Sequence, residues 1–334
     1  YPLRFRPVSR HYVWGGTRIV STFHRNAPPG IYAESWEISS RPDGMSVADN
    51  GAWAGHPLSE IIEALGPRLL GRRAPADRPS FPLLIKLIDS RERLSVQVHP
   101  NEAAAARYGG EAKTEMWYIL DAAPNARVFA GLRPGADRRA LEEALRRGDL
   151  ESVLAAVPVA AGDAIFVPGG RVHAIDAGCL LLEVQQNSDT TYRIYDWGRV
   201  GHDGRPRQTH LAQALRVIRW NDADPVRCRP VPLPAAAPNV REELLACPFF
   251  RMERWRLRTP VTLLPDAGSF VSVFLAHGAV AASWAGGREV WRPGTTVLVP
   301  AALPRLDLSP VESEALLLLT RLGTDADSAA PPRS

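Results

Sequence analysis

Lysine is nearly absent: of the 40 basic residues, all but Lys86 and Lys113 are arginine. Cysteine is scarce too, with only Cys179, Cys228 and Cys247 and no C-x-x-C among them. That excludes a disulfide framework and a thiolate metal site, and makes a reducing cytoplasm the expected compartment. No apolar run approaches the roughly 18 residues of a membrane helix, and no stretch reads as a signal peptide. Blocks of five or six like charges are also missing. The net charge of +4 is therefore spread out, and neither a nucleic-acid surface nor a membrane surface is expected.

What is present is a chain of 334 residues, 45% apolar, enough for one large domain or two ordinary ones. Short strand-like segments dominate: FPLLIKLID (81–89), LSVQVH (94–99), KTEMWYIL (113–120), DAIFVP (163–168), CLLLEVQ (179–185) and TTYRIYDW (190–197). Helical spacing appears in LSEIIEAL (58–65), in DLESVLAAV behind Asp149 as N-cap, and in THLAQALRVIRW from Thr209. Many strands and few helices predict a mainly β fold, a sandwich or barrel with a helical excursion. The proline-rich stretch 229–238 predicts an extended linker. A catalytic domain over 1–240, a smaller β domain over 241–322 and a disordered tail over 323–334 are expected. GDAIFVP (162–168) and GTTVLVP (294–300) echo each other, as two related barrels would, with His173 five residues past the first proline and Arg305 five past the second.

Chemistry concentrates around LSVQVHPNE. Strand alternation puts Leu94, Val96 and Val98 on one face, and Ser95, Gln97 and His99 on the other. His173 stands at a comparable place, after the turn-forming Gly169 and Gly170. In KTEMWYIL, Lys113, Glu115 and Trp117 share a face, where charge is costly unless paired or bound. A lone strand histidine is more often a satisfied structural residue than a ligand. Either Lys113 and Glu115 pair on an exposed sheet face, or Glu115 joins His99 and His173 in the donor set of a catalytic zinc or similar divalent site, with Gln97 as a weaker fourth ligand. Glu183 and Arg193 join this set if 180–199 is a hairpin lining the same cavity; as a surface pair they would contribute little. The two lysines are either chance survivors of an arginine-rich composition or positions needing an ammonium whose pKa can move.

The segments WGG (14–16), ESWEIS (34–39), FPLLIKLID, LSVQVHPNE, KTEMWYIL, GDAIFVPGGRVHAI and EVQQNSDTTYRIYDWGR together resemble the type I mannose-6-phosphate isomerases of the shorter bacterial form. The resemblance runs through residues 2–320. It implies a cupin fold, a double-stranded β-helix or jelly roll, with a helical segment and a following β domain. It also implies zinc-dependent interconversion of mannose 6-phosphate and fructose 6-phosphate through a cis-enediol. Position by position, His99, Glu115 and His173 match the family's metal ligands, Gln97 an additional one, and Arg193 its active-site arginine. Lys86, Ser95, Lys113, Glu183 and Asp189 fall on positions lining its pocket, so the base is open among Lys86, Lys113 and Glu183, with Ser95 and Asp189 expected on substrate. Two positions depart from the pattern: Met116 stands where many short members carry cysteine, and Ala112 where longer ones carry a polar residue.

The expected partner is a small sugar phosphate and the expected cofactor one Zn²⁺ per chain, other divalent ions being compatible; monomer and homodimer are both open. Two other classes fit the same ligand set: a non-catalytic sugar-binding or regulatory cupin, and a cupin metalloenzyme with another substrate. The first has no use for an intact ligand set with Arg193, and an oxygenase none for the hairpin and both lysines.

Overall fold

A computed structural model of the chain describes residues 1–77, 80–200, 204–324 and 327. The expected tail therefore lies almost wholly outside the described residues. Strand dominates, in four sheets with antiparallel pairing. The chain forms two units, each discontinuous in sequence. One joins Ser9–Ser35 to Ile85–Arg227; the other joins Tyr1–Val8 and Trp36–Leu84 to the described residues from Cys228 on. A cut near residue 240 misses this because the N-terminal strand Leu3–Arg6 pairs with Thr296–Val299, Leu3 opposite Leu298.

The unit containing LSVQVHPNE is built on two sheets. One runs Ala164–Val167, Glu115–Ala122, Cys179–Gln186, Leu83–Ser90, Glu34–Ile38, Val8–Arg10 in spatial order. The other runs Tyr192–Tyr195, Val96–Val98, His173–Ile175, Arg127–Leu132, Leu154–Pro158. Their inner faces meet, since Glu115 of the first lies 3.3 Å from His173 of the second. Part of the space between them is an apolar cluster that includes Ile88, Leu94, Trp117, Ile119, Val128 and Leu181. The outer face of the second sheet is apolar as well: Val96, Val98, Phe129 and Ile194 pack with Leu141 and Ala144 of the helix Arg138–Arg147 and Ala214 of the helix Leu211–Val217. Both faces of that sheet are thus covered, one by the facing sheet and one by helices.

Local corrections follow. In LSVQVH the ladder begins only at Val96, so Leu94 leaves the face of Val96 and Val98 and packs between the sheets. After Pro100, Asn101 caps the unanticipated helix Glu102–Tyr108 by accepting from the Ala104 amide at 2.8 Å. DLESVLAAV is not an α-helix but a 3₁₀ turn, Leu150–Val153, followed by the strand Leu154–Pro158. Pairing with Arg127–Leu132 overrides its weak helical spacing. The α-helix lies upstream at Arg138–Arg147, capped by Asp137.

The other unit has an eight-stranded sheet and a four-stranded sheet. They share an apolar core with Trp255, Val273, Leu275, Trp291, Val297, Leu306 and Leu317. The presumed linker contributes an edge strand, Val231–Leu233, paired with Val240–Ala246; prolines are tolerated there because an edge needs fewer amide donors. Both halves of the GDAIFVP/GTTVLVP echo use one device. Gly162 (φ +93°) and Gly294 (φ +83°) turn the chain into the strands Ala164–Val167 and Thr296–Val299. Beyond the second, Arg305 is an exposed partner of Asp307.

Candidate metal centre

His173 and Gln97 are register partners on adjacent strands, and Arg193 lies opposite Gln97 on the next. His99 follows directly on the end of the Val96–Val98 strand. From the facing sheet come Glu115, with Trp117 two residues on, Glu183 opposite Trp117, and Lys86. The ligand atoms of His99, Glu115 and His173 lie within 4.8 Å of one another, and all three residues are buried. His99 Nε2 is 3.5 Å from Glu115 Oε2, and His173 Nε2 is 3.3 Å from Glu115 Oε1.

Each imidazole is oriented by a main-chain carbonyl. Nδ1 of His99 donates to Thr190 O at 2.8 Å, and Nδ1 of His173 to Arg171 O at 2.8 Å. That tautomer turns both Nε2 lone pairs toward Glu115, as metal-ligating histidines require. His99 Nε2 is a buried atom with no hydrogen-bond partner, a costly state unless something binds there. Burial, then the Lys113 and His173 charges, lower the His99 pKa well below its ordinary value; burial brings His173 down to about 4. Both rings are therefore neutral near pH 7, the state a metal ligand needs. These residues fit a divalent ion, by donor type as well as by geometry.

Beside the triad is a buried charge network. Lys86 Nζ lies 2.9 Å from Glu183 Oε1 and 3.5 Å from Glu34 Oε2, and Trp117 Nε1 donates to Glu183 Oε2 at 2.8 Å. Lys113 Nζ is 3.2 Å from Glu115 Oε2. Burial would lower the Lys86 pKa, but Glu183 and Glu34 outweigh it and drive it up. Burial would raise Glu183, but Lys86 and Lys113 hold it down and ionised. Glu115 takes the opposite course: burial, then the Glu183 charge, lift it to about 7 against the pull of Lys113. An ion at the triad would reverse that lift.

A family model for the catalytic domain of type I phosphomannose isomerase matches residues 3–126. The mannose-6-phosphate isomerase of Streptococcus mutans is 35% identical over 281 residues, covering 84% of this chain and 86% of that protein. The chain belongs to the type I phosphomannose isomerases. Among solved structures, the mannose 6-phosphate isomerase of Bacillus subtilis superposes with a TM-score of 0.87 at 28% identity, over 96% of this chain and 99% of that one. A mannose 6-phosphate isomerase bound with zinc and yttrium shares the fold, with a TM-score of 0.74 at 16% identity over 97% of this chain and 100% of that one. The mainly β, cupin-type architecture expected from the sequence is the architecture of this family.

Of the residues singled out from sequence, Lys86, Gln97, His99, Lys113, Glu115, His173 and Glu183 come together between the sheets. Gln97 lies beside the triad, its side-chain amide 3.2 Å from His173 Nε2. Arg193 is half-buried, donating from Nε to Ser95 Oγ at 3.3 Å and from Nη1 to Gln208 O at 2.7 Å. Asp189 stands apart: it is exposed, and its amide donates to Glu111 Oε2 at 2.9 Å. Sequence reasoning missed Glu34 as a partner of Lys86 and Trp117 as a donor to Glu183, although both lie in segments it quoted. The carbonyls of Thr190 and Arg171 were beyond it, because any residue type has a carbonyl.

Proposed function

We propose that this chain interconverts mannose 6-phosphate and fructose 6-phosphate, with one zinc ion held by His99, Glu115 and His173. The observation that carries the reading is the pair of His99 and His173 Nε2 atoms, both turned toward Glu115 and the first without a hydrogen-bond partner, set beside a buried lysine–glutamate network. Two imidazoles and a carboxylate are a zinc donor set that leaves coordination positions for substrate, and a protein of this fold is bound with zinc. When bound, the ion supplies Lewis acidity toward the sugar oxygens at C1 and C2.

The chain's residues supply the rest. Glu183 is ionised and is the base: it takes the proton from C2 of the aldose, leaving a cis-enediolate, and delivers a proton to C1 while the O2 proton passes to O1. Lys86, wedged between Glu183 and Glu34, keeps its proton and is not the base. It fixes the Glu183 carboxylate and adds positive charge where the enediolate forms. Arg193 adds charge from the other sheet. Gln97 and Ser95 set its neighbourhood, Asp189 contacts substrate from the rim, and the reaction runs in the cytoplasm.

Turnover in D₂O separates the candidate bases. Glu183→Gln is expected to abolish deuterium incorporation at C2 of recovered mannose 6-phosphate, while Lys113→Arg keeps it. The converse pattern would move the base to Lys113. Exchange kept in both variants would contradict Glu183 as the base, and turnover of the wild type without any exchange would contradict the proton-transfer mechanism.

A further inference from the structure

Arg171 is 1% exposed and takes no part in the chemistry above, yet its guanidinium is engaged on all sides. Nε donates to Asp222 Oδ2 at 2.6 Å and Nη2 to Asp222 Oδ1 at 3.0 Å, a bidentate pair. Nη1 donates to Phe166 O at 2.7 Å and Nη2 to Asp224 O at 2.6 Å. A buried arginine costs several kcal/mol of desolvation unless its geometry is this complete, so the arrangement calls for a reason.

The reason lies in the main chain at Arg171. Its carbonyl is the acceptor that fixes the His173 ring. The preceding residue, Gly170, donates its amide to His99 O at 2.7 Å and accepts at its carbonyl from the Arg219 amide at 2.8 Å. Gly170 adopts φ +92°, and a Cβ on Gly169 would come within 2.7 Å of the Asn101 backbone. The loop 168–172 is thus pressed against the chain just past His99 while it holds the ring of His173. From the other side the segment 219–225 holds it, through Asp222, Asp224 O and Arg219, whose guanidinium also pairs with Asp222 and Asp224.

We propose that Asp222 is a positioning residue for the metal centre: through Arg171 it sets the carbonyl that selects the His173 tautomer, and with it metal affinity. The proposal rests on the metal reading of the triad. Outer partners of ligating histidines typically change metal affinity by about 10- to 100-fold; here the effect is relayed through a backbone carbonyl by a carboxylate 49 residues from the ligand.

The test uses the full chain stripped of metal and titrated with cobalt(II), following the visible d–d bands and a competing chelator. Asp222→Asn is expected to raise the cobalt Kd at least about 10-fold and, in the apoprotein, to mix the His173 tautomers seen by ¹⁵N NMR. Asp89→Asn is the control for loss of a buried ion pair. Asp89 accepts from Arg18 Nε at 2.9 Å and is one residue out of step with Ile88, which packs between the sheets. It should destabilise the fold and leave Kd and tautomer unchanged. A wild-type Kd in folded Asp222→Asn, or equal weakening in both variants, overturns the proposal. Should Asp222→Asn not fold, Arg219→Ala replaces it, since its guanidinium is one-third exposed; a rise of about 3-fold supports the positioning role and no rise contradicts it. Wild-type protein that takes up no cobalt overturns the metal reading itself, while the tautomer measurement still decides whether Asp222 positions His173.

Discussion

Lys86 and Glu183, on adjacent strands of one sheet, form an ion pair on its inner face, Nζ to Oε1 at 2.9 Å, with neither side chain more than 9% exposed. Breaking such a pair leaves an uncompensated buried charge. Lys86→Met is expected to cost about 3–5 kcal/mol of stability, read by urea unfolding of the metal-free protein. A loss under about 1 kcal/mol would mean that water already reaches this network.

Arg193 lies opposite Gln97 on the second sheet and donates to Ser95 Oγ and Gln208 O. Arg193→Ala should lower kcat by at least about 100-fold while metal content is unchanged, the size of loss typical of removing one charge-stabilising donor. An unchanged kcat would reduce Arg193 to a strut between Ser95 and Gln208.

His99 donates to Thr190 O and turns Nε2 inward. His99→Ala should lose metal, and with it activity, without unfolding. Stoichiometric metal in that variant would remove His99 from the ligand set.

Asp196 accepts from Arg207 Nε at 2.7 Å and Nη2 at 2.6 Å and from Arg199. Burial alone would raise its pKa, but these hydrogen bonds and charges hold it below the ordinary 3.8. The unfolded state then binds the proton more readily than the folded state, so the stabilisation is full above the unfolded pKa and is lost as pH falls through the folded value. The stability gap between wild type and Asp196→Asn should therefore be widest from about pH 5 upward and shrink toward about pH 2. A gap independent of pH would contradict this.

Asn101 starts the helix that follows the His99 strand. Asn101→Ala should cost about 1 kcal/mol and leave metal binding alone, as thermal unfolding and metal titration would show. A matching loss of metal affinity would mean the helix start also sets His99.

The legible part of this molecule was the part governed by side-chain alternation. A period of two put Lys113, Glu115 and Trp117 on one face, and Gln97 and His99 on another, and the structure turns both faces inward. Alternation failed where the ladder did, at Leu94, and spacing misled at 150–158, where pairing with Arg127–Leu132 decided the outcome. The division into units was not legible, because it depends on Leu3 meeting Leu298 across almost the whole chain. The second layer of the site was hidden for a different reason. Thr190 and Arg171 act through carbonyls, and Asp222 through Arg171, so none carries a signature residue type at a signature spacing.

The central claim is that the two strand faces make a metal-dependent isomerase. The direct measurement is elemental analysis of the purified chain, coupled to conversion of mannose 6-phosphate to fructose 6-phosphate before and after chelation. One zinc per chain, with activity lost on chelation and restored by adding the ion back, is the predicted result. Full activity from metal-free protein would contradict it.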